Sequence, residues 1–182
     1  MIGIAHDVDA ADIDESMRQG ESDTGHALRL ATEKGLAVAA RHPDALVIAA
    51  DTIVVLDGRI FGKPVDEADA CRMLRALSGR THVVHTAVVV ALGGGRRVES
   101  RVESTRVTFR ELDDSEIAAY VATGEPMDKA GAYGIQGYGA TIVERVDGDY
   151  FTVMGLALRR LVALLERVGI QYRFHPLDGA PA

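Results

Sequence analysis

The sequence predicts an α/β fold built on a mixed sheet. Segments with helical spacing of apolar residues alternate with β-branched runs along the 182 residues. Several of those runs are joined by hairpin signals, which excludes a purely parallel sheet. The apolar fraction is 47% with no Trp, so the core is aliphatic, made of Val, Leu, Ile and Ala. This length suits a single domain over residues 1–182, or two lobes sharing one continuous sheet.

Residues 1–14 read as extended and then acidic. Ser22 to Ala40 reads as a helix, capped by Ser22 or Asp23, with Ala27, Leu30, Ala31 and Leu36 on its apolar face. His42-Pro43-Asp44 stops it. Leu46 to Ala50 is a continuous apolar run, as in a strand buried on both faces, and Ile53 to Leu56 continues it. Asp57-Gly58 is a hairpin turn, with Arg59-Ile60-Phe61 returning.

Asp66 caps a helix running to Leu77, ended by Ser78-Gly79. Thr81 to Leu92 and Val98 to Phe109 form a strand pair around Gly93-Gly94-Gly95. That triplet lacks the following helix and Lys-Ser/Thr of a phosphate loop. The charges on alternate positions of the second strand mark a solvated sheet face. Asp113-Asp114-Ser115-Glu116 opens a helix through Ala122, and Thr123-Gly124-Glu125-Pro126 closes it. Thr141 to Val146 reads as a strand, Asp147-Gly148 as a turn, and Tyr150 to Val153 as a strand pairing back. Gly155 to Val168 is an amphipathic helix, and residues 175–182 read as a loose tail.

The formal net charge of −7 argues against broad nucleic-acid binding, which needs a basic field. A few local cations still allow a small anionic substrate in a cleft. Cys71 is the only cysteine, so an intrachain disulfide is impossible; a free buried thiol in a reducing cytoplasm is the simple reading. No run is apolar enough to span a bilayer, and the start lacks the pattern of a signal peptide.

Two stretches carry more than packing requires. In "AADTIVVLDGRIFGKPVD", residues 49–66, Asp51 interrupts an apolar strand and Lys63 sits in a Gly-Lys-Pro bend. In "TGEPMDKAGAYGIQGYGA", residues 123–140, five glycines surround an Asp-Lys pair and a glutamine. Glycine at this density permits close approach to a ligand, although a plain structural loop has the same composition. Asp128-Lys129 reads equally as a surface ion pair, and Lys34 as a solvated helix cation. Gln136 carries a donor and an acceptor, which suits reading a base edge.

Lys34, Lys63 and Lys129 lie on or near segment ends, where they can neutralise phosphate oxygens. Asp51, Glu15 and Asp128 are carboxylates able to converge with them and hold Mg²⁺. A metal ion with a positioned carboxylate activates water for attack on phosphorus. No G-x-S-x-G, zinc-type spacing or Walker sequence offers other chemistry. His82 and His85, three apart in a strand, point to opposite faces and do not pair as metal ligands.

These stretches, continued through "GDYFTVMGLAL", resemble the two long signatures of the Maf family of nucleoside triphosphate pyrophosphatases, over residues 3–168. The resemblance implies an elongated, two-lobed inosine-triphosphatase-like fold around a deep central cleft. It also implies cleavage between the α and β phosphates, assisted by Mg²⁺ or Mn²⁺, giving a monophosphate and pyrophosphate. "AYGIQG" resembles the branch acting on dTTP and UTP, as opposed to 7-methyl-GTP.

Position by position, Asp51 matches the catalytic carboxylate, as base or metal ligand, and Glu15 the acidic residue that helps hold the metal. Lys34 and Lys63 match phosphate-contacting lysines; Thr52 and Gln136 match positions tied to pyrimidine recognition, with Lys129 beside them. A homodimer is a family-level expectation. Family members normally begin with a strand and a Ser-x-Ser-Pro-Arg-Arg loop, whereas this sequence starts after that point. That difference implies weakened phosphate binding and an open sheet edge. A nucleotide-binding regulatory module without turnover is therefore the alternative function.

Overall fold

The computed structural model describes residues 2–173. The tail expected at 175–182 lies outside the described residues. A 19-residue helix, α1 (Asp23–Arg41), comes first, and the Ser22 side chain accepts the Gly25 N–H as its N-cap. Strand β1 (Val47–Leu56) turns at Asp57-Gly58 into the short β2 (Arg59–Phe61). Helix α2 (Glu67–Leu77) follows, capped by Asp66. The long pair β3 (Thr81–Leu92) and β4 (Arg97–Phe109) comes next. Helix α3 (Asp114–Ala122) opens on a full capping box between Asp113 and Glu116.

Three short 3-10 turns, Glu125–Asp128, Ala130–Ala132 and Gly137–Thr141, build the glycine-rich stretch. The chain then closes with β5 (Val143–Asp147), a single helical turn α4 (Tyr150–Val153) and α5 (Leu158–Arg167).

The five strands form one sheet in the order β2-β1-β3-β4-β5. All four pairings are antiparallel, so the mixed sheet expected from sequence is antiparallel throughout the described residues. α2 carries the chain from β2 past β1 to β3, and the other strand junctions return it as an antiparallel neighbour.

Side chains alternate across the sheet with a period of two, and the core divides accordingly. Ile53, Val55, Ala87 and Val89 face Ala27 and Ala31 of α1. On the opposite face, Val88 and Val90 pack under Leu161, Leu164 and Leu165 of α5. Farther along that face, Val54, Val84, Val107 and Phe109 meet Leu74 and Leu77 of α2 and Ile117 of α3. Between these clusters lies a strip of buried polar groups that includes Thr86 and Thr152.

Three local expectations are corrected. Tyr150–Val153 does not pair back as a strand. Asp149 accepts the Phe151 N–H and starts a helical turn, overriding the aromatic and β-branched composition. The first half of β1 is largely half-buried, not buried on both faces. β2 pairs only Val54–Leu56, so among the described residues no strand covers the outer edge of Val47–Ile53. Cys71, expected to be buried, is half-buried against the α2–α3 core.

Candidate active site

That uncovered half of β1 borders a cavity of about 440 Å³. Glu15, Lys34, Asp51, Thr52, Lys63, Lys129 and Gln136, all seven residues singled out from sequence, line it, as does Asp128. They come from α1 and the segment before it, β1, the loop after β2, and the glycine-rich stretch. The cavity wraps around β1. Asp51 turns to the α1 side, whereas Thr52, one residue on, turns to the face shared by Tyr133, Val84 and Gly155.

The α1 side is built around one ammonium. Lys34 Nζ donates to Asp51 Oδ1 at 2.7 Å and to Glu15 Oε1 at 2.6 Å. Gly35 makes this reach possible: a Cβ there would stand 3.3 Å from Ala49 Cβ, so α1 rides close on the sheet. The Asp51 side chain is 9% exposed, the Glu15 side chain 56%. Burial opposes the charge on Lys34, but the hydrogen bonds to Asp51 and Glu15 outweigh it and raise its pKa above the usual lysine value. The same bond from Lys34 holds Glu15 below the usual carboxylate range. Lys34 is thus no solvated surface cation.

Lys63 differs. It is exposed and makes no ion pair among the described residues. Its loop is tied across the cavity by the Gly131 N–H, which donates to the Gly62 carbonyl at 3.0 Å. Lys129 does form the surface pair with Asp128, at 2.6 Å, and also donates to the Glu125 carbonyl at 2.8 Å. The Gln136 amide is exposed and makes no side-chain hydrogen bond among the described residues.

Thr52 has a defined polarity. The buried Thr86 hydroxyl donates to the Thr152 carbonyl at 2.7 Å. Its single proton is thereby used, so in the 2.8 Å contact between the two hydroxyls Thr52 is the donor. The Thr52 oxygen keeps both lone pairs for donors from a ligand.

Sequence reasoning missed the parts that hold these groups in place. Arg29 donates to both oxygens of Glu21, at 2.7 and 3.0 Å, to Glu33 at 3.2 Å and to the Ser16 carbonyl at 2.8 Å. This fork pins the backbone next to Glu15. The guanidinium of Arg29 holds Glu21 at a pKa of about 2. His26 Nδ1 lies 3.0 Å from Glu21 and the residue also lines the cavity. The available signal was the placement of His26, Arg29 and Glu33 on one helix face. Tyr133 was also missed; its hydroxyl lies 2.8 Å from Nε2 of the buried His82. His82 is an interior partner of Tyr133 and Phe109, and His85 pairs on the other face with Ser104, so the two do not form a metal site.

The family described as "Maf-like protein" matches residues 1–168. A protein of Koribacter versatilis named dTTP/UTP pyrophosphatase is 50% identical over 163 residues, 90% of this chain and 83% of that protein. Similarly named proteins of Myxococcus xanthus and Shewanella denitrificans are 50% identical over 169 residues and 54% over 157. Those alignments cover 93% and 85% of this chain, and 85% and 78% of the relatives. With its signatures gathered around one cavity and its match spanning residues 1–168, the chain belongs to the Maf-like protein family.

Proposed function

We propose that this protein is a nucleoside triphosphate pyrophosphatase acting on dTTP, UTP and related pyrimidine nucleotides. The observation that carries the reading is the convergence of Asp51, Glu15, three lysines, Thr52 and Gln136 on one cavity. The names of relatives about 50% identical over most of the chain support it over the regulatory alternative.

In this reading the triphosphate lies along the lysines, and the base lies on the Thr52 face. Lys63, in no ion pair among the described residues, neutralises phosphate oxygens directly; Lys34 and Lys129 add positive charge at either side. Asp51, with little solvent around it, accepts a proton from water as the water oxygen bonds to the α-phosphorus. The bond from that phosphorus to the bridging oxygen breaks, and pyrophosphate leaves with the electron pair. Thr52 and Gln136 hold the base edge by hydrogen bonds.

Among the described residues no group of three His, Cys, Asp or Glu side chains gathers as a metal site. Two carboxylates converging on one ammonium nevertheless fit Mg²⁺ or Mn²⁺. Such ions commonly take one or two carboxylates and complete their shell with water and substrate phosphate. Glu15 and Asp51 are the residues that would hold one. When bound there, the ion would offset charge on the phosphates and polarise the reacting phosphoryl group.

The proposal extends to a single two-lobed domain with the cavity as its central cleft, a cytoplasmic setting and a homodimer. No described helix is long and apolar enough to cross a membrane.

The test is product identification with dTTP, UTP and 7-methyl-GTP in the presence of Mg²⁺ or Mn²⁺. Pyrophosphate and monophosphate from the pyrimidine substrates are expected. Asp51→Asn should lower turnover about a hundredfold or more with an unchanged far-UV spectrum. Orthophosphate as the main product would overturn the assigned bond, and calorimetric binding without release would favour the regulatory module.

A further inference from the structure

Gln136 stands on a loop that owes its shape to a carboxylate outside the cavity lining. Glu125 Oε1 accepts the Gly139 N–H at 2.9 Å and the Tyr120 hydroxyl at 2.9 Å; its Oε2 accepts the Tyr138 N–H at 2.9 Å. The Tyr120 oxygen in turn accepts the Gly134 N–H at 3.1 Å. Glu125 and Tyr120 together therefore grip the backbone two residues before Gln136 and two and three residues after it. The Glu125 carbonyl also takes the Lys129 ammonium at 2.8 Å.

The loop leaves no room for side chains at these contacts. A Cβ at Gly137, which has φ of 64°, would lie 2.3 Å from Glu125 Oε2. One at Gly139 would lie 2.1 Å from the Gly134 carbonyl. Burial opposes the charge on Glu125, but the N–H donors of Gly139 and Tyr138 prevail and set its pKa below the usual value, so the acceptor is ionised at neutral pH. Every acceptor site that grips the loop thus depends on a charge or a hydroxyl, not on apolar packing.

We infer that Glu125, through Tyr120 and the N–H groups of residues 134, 138 and 139, is a positioning residue for Gln136 and thereby for the choice of base. The inference rests on the proposed pyrimidine triphosphate activity. A glutamine at this position has one amide oxygen to accept and an NH₂ that confronts a backbone N–H, so the loop loosens. Tyr120→Phe removes the arm to Gly134 and the hydroxyl bond to Glu125, and leaves the Tyr138 and Gly139 N–H groups on Glu125.

The test compares kcat and KM for UTP and GTP in the wild type, Glu125→Gln, Tyr120→Phe, Gln136→Ala and the double variant Glu125→Gln/Gln136→Ala. Glu125→Gln should raise KM for UTP about tenfold, with a smaller effect on kcat, and cut the UTP-over-GTP preference by a similar factor. Tyr120→Phe should move the same ratio in the same direction by about threefold, which keeps the test open if Glu125→Gln folds poorly. In the Gln136→Ala background, Glu125→Gln should change the ratio less than twofold, because the group it positions is gone. Hydrogen exchange at residues 134–141 should accelerate in both single variants. An unaltered ratio in an active Tyr120→Phe and Glu125→Gln, or a full additive loss in the double variant, overturns the inference alone. No pyrophosphate release by the wild type from any triphosphate overturns the proposed function and this inference with it.

Discussion

Replacing Lys34 with methionine tests whether the shared ammonium holds the two carboxylates together. Methionine keeps the reach of the side chain but offers neither charge nor donor. A charge-assisted hydrogen bond contributes about 1.5–3 kcal/mol when shielded and about 0–1 kcal/mol at the surface. The Glu15 carboxylate is 56% exposed, so its bond belongs to the second class; Asp51, 9% exposed, belongs to the first. Lys34→Met should therefore destabilise the protein by about 2–3 kcal/mol at pH 7, measured by urea unfolding with an unchanged m-value.

The pH dependence follows from the shifted groups. Glu15 is depressed, so its contribution is complete above its ordinary value of 4.5 and fades as the pH falls through its folded value. Lys34 is raised, so its contribution is complete below 10.5 and fades as the pH rises through its folded value. The gap between wild type and variant should be widest from about pH 5 to 10 and narrow on both sides. A gap below about 0.5 kcal/mol at pH 7, or one indifferent to pH, would refute the argument.

Two further variants give outcomes that can be checked. Arg29→Ala should release the segment around Ser16, raising hydrogen exchange at residues 14–21, and should lower stability by an amount that is complete above pH 4.5 and fades toward pH 2, the interval over which Glu21 loses its native advantage. His82, pushed down by burial from 6.5 to about 4, stays neutral in the folded protein while an unfolded histidine takes up a proton. The wild type should then lose about 3 kcal/mol as the pH falls from 6.5 to 4, and His82→Gln, which keeps a partner for Tyr133, should lose less by a comparable amount.

Much of the fold was legible because local signals and tertiary packing agree. Ser22, one of two cap candidates, and Asp66 read as caps and serve as caps, and the acidic run read as opening a helix supplies its cap, Asp113. The Asp57-Gly58 turn and the Thr81–Phe109 pair stand where hairpin chemistry put them. Tyr150–Val153 was misread because a four-residue segment has too little pattern to outvote its composition, and the deciding bonds come from Asp149 and Thr105. The antiparallel course of the whole sheet was not legible, since helix–strand alternation alone does not set strand direction. At the site, Asp51 stood out as a charge in an apolar strand. Residue chemistry suggested that Asp51 and Glu15 converge and that Gln136 reads a base, and the family resemblance gave each its role, because no spacing rule reports contacts between distant segments. Glu125 was hidden further, reading only as part of a helix stop, because its partners are backbone N–H groups.

The strand order has a kinetic side. Three of the four pairings join strands adjacent in the chain, and β1 reaches β3 across only β2 and α2. Such a sheet zips between near neighbours at small loop-closure cost. The cavity obeys a different rule: Glu15 and Gln136 meet only after the intervening chain has been laid down. Binding competence is therefore a late event in chain assembly, and the first capacity forfeited when the ends of the molecule loosen.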